Sequence, residues 1–334
     1  MIWVQFIGAA LLTVLAATKL AEYGDTIALR TGLGRMFIGT LLLAGATSLP
    51  ELLTTINSIS QNVPDLAVGN IFGSCMFNMF MLGVLDLLYQ KARILRKVMI
   101  NHALSAGMAI LLTGLAVFLI MVNLKGQVGW LGMDSLLLMA VYIGGMRLVQ
   151  NNSLSNTIMG GETPKEADID LANVPSLRRG LIGFGLASLA LVVITPTLVS
   201  SSTQIAVLLG VSTGFVGAAL VAVVTSLPEV VTTIAAVRIG AYDMAVGNLF
   251  GSNMFNIFAL AVTDLFFTQG RFLAHVDPVM TLAGIMALIL TTMGLIGNVA
   301  RMEKRILFVE LDALVIMVSY GLFMWMLYAR GIVG

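Results

Sequence analysis

The sequence predicts an all-α polytopic membrane protein, with ten transmembrane helices arranged as two inverted five-helix repeats. Three observations carry that class. The 334 residues are 58% hydrophobic and only 10% charged, with a mean hydropathy of +0.99; a soluble domain carries roughly 25% charged residues. Ten segments are apolar over the ~20 residues that a spanning helix needs. Finally, residues 47–86 recur, without a gap, as residues 225–264.

The first predicted span is 3–20, where Met-Ile-Trp-Val opens the chain without a basic n-region, so a first helix is expected rather than a cleaved signal. Spans two to five follow at about 36–58, 66–90, 99–122 and 128–148. Spans six to ten fall at about 180–200, 206–237, 244–267, 277–297 and 308–329. Between the halves, residues 149–178 are polar and include Gly160, Gly161, Pro164 and Pro175, which reads as a linker too short for a domain of its own. The expected organisation is therefore a first half at 1–148, a linker at 149–178 and a second half at 179–334.

Charge orients the spans. With the N-terminus outside, the inner loops and linker receive 15 basic residues, among them the run Lys91 to Lys97, and the outer segments receive only Lys125, Arg271 and Arg330. That positive-inside bias places both termini outside and the linker in the cytoplasm. The 91–97 run is read as a cytoplasmic anchor that contacts anionic lipid.

Composition also excludes classes. A net charge of +1 points to no nucleic-acid partner, and Cys75, the single cysteine, rules out an internal disulfide and a zinc-finger cluster. His102 and His275 are far apart and are expected as solvated interfacial residues. Asp65 and Asp243 are expected at solvated helix starts, Asp86 and Asp264 at the interface, and the 21 methionines in packing. No nucleophile is paired with a base at membrane depth, so an enzyme is not predicted and no cofactor is implied.

The repeat carries the chemistry. Of its 40 aligned pairs 23 are identical, including both Thr-Ser-Leu-Pro-Glu blocks at 47–51 and 225–229. Five spans per half is an odd number, so the second copy enters the membrane inverted. Many secondary transporters share that architecture, with a midplane site where broken helices of the two halves meet. Pro50 and Pro228 remove a helical donor and crowd the carbonyl four residues back, predicting that spans two and seven break there. Freed carbonyls in a bilayer need a new partner, and a cation can supply it.

Beside the first break stand Thr47, Ser48 and Glu51; beside the second stand Thr225, Ser226 and Glu229. These hard oxygen ligands suit calcium, magnesium or alkali ions rather than zinc or copper. One divalent ion neutralises two carboxylates, and so do two sodium ions or two protons, which is a physical basis for exchange. A passive channel would use similar oxygens but would gain nothing from inverted broken helices. A second block, Gly69 to Asn78, repeats as Gly247 to Asn256. Ser74 with Asn78, and Ser252 with Asn256, are four apart and share a helical face that can turn oxygens toward the same ion. Gly69, Gly73, Gly247 and Gly251 are read as close-packing positions, and Asn70 and Asn248 face elsewhere.

At these residues the chain resembles the cation/calcium exchanger superfamily, and within it the sodium/calcium exchanger branch. The resemblance rests on Gly45-Ala-Thr-Ser-Leu-Pro-Glu51 with Gly73-Ser-Cys-Met-Phe-Asn78, and on Val223-Val-Thr-Ser-Leu-Pro-Glu229 with Gly251-Ser-Asn-Met-Phe-Asn256. The two α-repeats then cover about 36–90 and 211–267. The resemblance implies an antiporter of the plasma membrane exchanging calcium for sodium, with proton/calcium exchange as the alternative. It implies Glu51 and Glu229 as principal calcium ligands, joined by the backbone carbonyls of Thr47 and Thr225. Ser48, Ser74, Ser226 and Ser252 would help form sodium sites, and spans one and six would slide past the core. Asn256 stands where some members carry aspartate, and Cys75 replaces a motif asparagine.

Overall fold

The computed structural model describes residues 1–31, 44–89, 99–158, 174–238, 242–300, 305–306 and 309–333. The beginning of predicted span two, the 91–97 anchor and residues 159–173 of the linker lie outside the described residues.

The first half contains α1 (Ile2–Thr31), α2 (Ala44–Thr47), α3 (Leu49–Ser60), α4 (Pro64–Leu88), α5 (Met99–Val122) and α6 (Met133–Ile158). The second half opens with α7 (Leu177–Leu209) and α8 (Thr213–Val216), then a π-helical turn (Gly217–Val221), α9 (Ala222–Thr225) and α10 (Leu227–Arg238). It closes with α11 (Tyr242–Thr263), α12 (Met280–Ala300) and α13 (Leu311–Val333). Two antiparallel two-stranded hairpins are added to the helices, Gln127–Val128 with Leu131–Gly132 and Arg305–Ile306 with Val309–Glu310. Among the described residues, seven helices are long and apolar enough to cross a membrane; the pair 213–225 and 227–238, bent by 43°, makes an eighth span if counted as one.

The centre is built by α4 and α11, each 72% buried over its most apolar stretch, against 25% for α1 and 28% for α7. A small-residue surface explains how two helices become the core. A Cβ on Gly69 would lie 2.2 Å from the Gly214 carbonyl oxygen, and one on Gly73 would lie 2.5 Å from the Ala218 Cα. Glycine at both positions lets α4 meet the backbone of span seven, as its small-residue spacing predicts. Around α4 and α11 pack α5 and α12, while α1 and α7 run against each other at the periphery. The pair α1 and α7 is fastened at one end by Arg30, whose Nε donates to the Pro175 carbonyl at 2.9 Å and whose Nη2 donates to that of Val174.

Several boundaries are corrected. The first helix runs on to Thr31 instead of stopping near 20, and α6 continues to Ile158, inside the expected linker, because Gln150-Asn-Asn-Ser-Leu-Ser-Asn holds no proline or glycine to end it. The start of span five is a hairpin, with helix only from Met133. Span six extends to Leu209, and span seven starts at Thr213 rather than 206 because Gly210 takes a left-handed conformation (φ +63°) that ends α7. That turn contains the string Gly210-Val-Ser-Thr-Gly214, a Gly-x-Ser-x-Gly inside the predicted span. Ser212 there caps α8, accepting from the Phe215 amide at 3.2 Å, so it serves the backbone.

Two polar expectations are also overturned. His102 is buried within α5, whereas His275 is exposed as expected. Asp86 and Asp264 are buried rather than interfacial. The Asp264 carboxylate accepts from the Gly132 amide at 2.7 Å and from the Phe272 amide at 2.6 Å, tying the hairpin to the 264–276 segment. Arg271 completes this knot through Asp134 at 3.5 Å and Asn123 at 2.6 Å. Asp65 is half-buried and accepts from the Asp277 amide at 2.9 Å.

Candidate ion site between the two repeats

Both Thr-Ser-Leu-Pro-Glu blocks interrupt a helix at the serine. Ser48 separates α2 from α3 with φ −90° and ψ 8°, and Ser226 separates α9 from α10 with φ −87° and ψ 2°. Proline follows two residues later and sits in the first turn of the new helix, where its missing N–H costs nothing. Glu51 and Glu229 therefore fall in a first turn, with the N-terminal half of the dipole favouring their charge.

The two halves cross at this point. Ser48 Oγ donates to Glu229 Oε1 at 2.7 Å, and Ser226 Oγ donates to Glu51 Oε1 at 2.9 Å. Ser74 Oγ lies 3.4 Å from the same Glu51 oxygen. Thr47, Ser48, Glu51, Ser74, Asn78, Thr225, Ser226, Ser252 and Asn256 are each 0% exposed, and Glu229 is 1% exposed. Each carboxylate thus has one oxygen engaged by serine hydroxyls, while its Oε2 is buried with no hydrogen-bond partner among the described residues.

The amides continue the pattern. Asn78 Nδ2 donates to Asn253 Oδ1 at 2.9 Å, and Asn256 Nδ2 approaches Cys75 Sγ at 3.9 Å. Their carbonyl oxygens Asn78 Oδ1 and Asn256 Oδ1 are buried and take no hydrogen bond among the described residues, as is true of Ser252 Oγ. Buried polar atoms are nearly always paired. Here five unpaired oxygens belong to residues of the repeat motifs: Oε2 of Glu51 and of Glu229 at the two crossings, and Asn78 Oδ1, Asn256 Oδ1 and Ser252 Oγ along α4 and α11. Unpaired acceptors of this kind suit a cation. The oxygens on these residues are hydroxyl, amide and carboxylate, a donor set that suits a hard cation rather than zinc.

The structure brings Glu51, Ser74 and Ser226 to one crossing and Ser48 with Glu229 to the other. The threonine hydroxyls have partners within the protein: Thr47 Oγ1 donates to the Ala44 carbonyl at 3.2 Å, and Thr225 Oγ1 lies 3.0 Å from Asn70 Oδ1, 3.1 Å from the Val221 carbonyl and 3.3 Å from the Ala222 carbonyl. Asn70, Asn248, Asn253 and Cys75 join the polar centre, and sequence spacing did not single them out for it. Asn70 Nδ2 donates to the Glu51 carbonyl at 3.4 Å, and Asn248 Nδ2 to that of Glu229 at 3.5 Å. The signal that could have found Asn70 and Asn248 was their recurrence in register in both repeats.

The five-residue Thr-Ser-Leu-Pro-Glu block, doubled at helix breaks against the core of an apolar helical bundle, marks a membrane protein built from two related repeats. The comparisons with known proteins agree. The sequence model of the family described as "Sodium/calcium exchanger protein" matches residues 1–149 and 179–329, so the chain belongs to that family. It is 27% identical over 357 residues to the sodium/calcium exchanger MaX1 of Methanosarcina acetivorans, covering 96% of this chain and 100% of that one. Its fold is similar to that of the sodium-calcium exchanger NCX_Mj, with TM-score 0.57, 23% identity, and 96% and 98% of the two chains covered. It is also similar to native YfkE, with TM-score 0.67, 15% identity, and 97% and 92% covered. The chain is a membrane exchanger of the sodium/calcium exchanger type, and its family is one of transporters.

Proposed function

We propose that this chain is a secondary active antiporter of the plasma membrane that exchanges calcium for sodium by alternating access. In this reading it has ten spans in two inverted halves, 1–148 and 179–334, with the linker 149–178 in the cytoplasm and both termini outside. Calcium is held by Glu51 and Glu229 together with the backbone carbonyls of Thr47 and Thr225. Sodium uses Ser48, Ser74, Ser226 and Ser252, and Asn78 and Asn256 lend their amide oxygens.

The observation that carries this reading is the crossed pair of serine–glutamate bonds. Each half supplies the donor that orients the other half's carboxylate, and each carboxylate keeps Oε2 without a partner among the described residues. Two facing carboxylates in an apolar bundle repel and need neutralising. One calcium balances them, and so do two monovalent ions, but not both at once, which couples the two fluxes. The family membership and the relative named a sodium/calcium exchanger support the same pair of ions.

Purified protein in liposomes tests it. An imposed sodium gradient drives calcium accumulation against its own gradient, which a channel cannot do. A second reading, proton/calcium exchange, is favoured by the carboxylate count: Asn78 and Asn256 are neutral, so two protons suffice to neutralise the site. Under that reading a pH gradient drives calcium and a sodium gradient does not.

A further inference from the structure

The two halves are equivalent in sequence but not in their hydrogen bonds. A shift of 178 residues maps Asn70 onto Asn248, Thr47 onto Thr225, Ser74 onto Ser252 and Ala44 onto Ala222. In one half the cross-repeat contacts are made. Thr225 Oγ1 donates to Asn70 Oδ1 at 3.0 Å, and Ser74 Oγ reaches the Ala222 carbonyl at 3.5 Å. The symmetry-related contacts are not made. Asn248 Oδ1 and Ser252 Oγ are buried without a hydrogen-bond partner among the described residues, while both threonine hydroxyls reach the carbonyl three residues back in their own helix, Thr47 at Ala44 and Thr225 at Ala222.

Where the contacts are made, Gly69 and Gly73 of α4 lie against Gly214 and Ala218, so close that a Cβ on either glycine would strike backbone. This closed seam is at the membrane face that carries Lys125. The N-terminal end of α4 bonds the 264–277 segment through Asp65, and Arg271 of that segment bonds Asn123.

We propose that Asn70 and Asn248 are positioning residues of a two-position latch. In the state seen here, Asn70 holds Thr225 and closes the Lys125 face. In the oppositely facing state that bond opens, and Asn248 Oδ1 accepts from Thr47 Oγ1 instead. The inference rests on the alternating-access reading above. The physical reason is that an inverted-repeat carrier changes sides by moving one repeat against the other around a fixed site, so a contact made by one half becomes available to its mate. An amide–hydroxyl bond suits such a latch because it is neutral, buried and single, and so biases an equilibrium without freezing it. The latch also explains an unpaired amide oxygen in a core where such atoms are nearly always satisfied.

The test uses full-length protein in lipid nanodiscs on a Cys75→Ala background, with spin labels at Ser60 and Leu209, both exposed near the Lys125 face. Pulsed electron resonance reads the distance between them. Thr225→Val removes the bond made here, so the ratio of long to short distances is expected to rise about tenfold, the scale of one buried neutral hydrogen bond. Thr47→Val removes only the counter-bond and is expected to lower that ratio, and Thr225→Ser restores the starting distribution. Asn70→Ala breaks the first bond from its other end and reads the same shift if Thr225→Val does not fold. Shifts of the same sign for Thr47→Val and Thr225→Val, or no shift in either, would overturn the latch. Wild-type calcium uptake under a sodium gradient is measured alongside. Its failure with the opposite distance shifts intact would remove the sodium-coupled reading and leave the latch standing.

Discussion

Replacing Glu51 with glutamine changes one charge and almost no shape. Glu51 is 0% exposed, and its Oε1 accepts from Ser226 at 2.9 Å, a bond that a glutamine carbonyl can also accept. The fold should therefore hold, and removing a charge from the middle of a span relieves an insertion cost of about 2.5–3.5 kcal/mol. Ion binding suffers instead. Unit charges 4 Å apart interact by about 4 kcal/mol at an effective dielectric constant of 20. A calcium ion carries two charges and sits closer to its ligands, at about 2.3–2.6 Å. Losing one of two carboxylate charges should thus weaken calcium by at least about 4 kcal/mol, roughly a thousandfold in affinity. The assay is radiolabelled calcium uptake by proteoliposomes across a calcium series, with melting in detergent as the folding control. Uptake by Glu51→Gln equal to wild type at every calcium concentration would refute the reasoning, since no other described carboxylate at the crossing could replace it.

Three further outcomes are expected. Gly73→Val would force a branched side chain into a position where even a Cβ lies 2.6 Å from the Ala218 carbonyl oxygen, and should lower the melting temperature and the yield of folded protein. Arg271→Ala leaves Asp134 buried without its cation and should destabilise the protein by about 3–5 kcal/mol, read by chemical denaturation in detergent. A cysteine at Lys125 on a Cys75-free background should react with an impermeant reagent added outside cells, and one at Gly160 should not; the reverse pattern would invert the topology.

Much of this organisation was legible because a bilayer tolerates few exceptions. A proline and a carboxylate inside an apolar span need a reason, and the second copy at 224–229 supplied it. The serines, glutamates and asparagines of both motifs were singled out that way, and the structure bonds Ser48 to Glu229 and Ser226 to Glu51, with Ser74 beside Glu51. What stayed hidden depends on partners distant in the chain. Asp264 at a span end reads as interfacial, but the Gly132 amide, 132 residues earlier, makes burial tolerable. Asn70 reads as off the Ser74–Asn78 face, yet its partner Thr225 comes from the other half, 155 residues away. Helix ends were misjudged where polarity and breaking differ: the polar run after Leu148 lacks a breaker, so α6 continues through it.

The central claim is that Glu51 and Glu229 form one site that calcium and sodium occupy in turn. Equilibrium binding of radiolabelled calcium to the purified protein, titrated with sodium at fixed pH, tests it most directly. The account predicts one calcium per chain, complete displacement by sodium with an apparent calcium affinity that falls as sodium rises, and no calcium bound when both glutamates are replaced by glutamine. Calcium binding that ignores sodium, or that survives the double replacement, would contradict it.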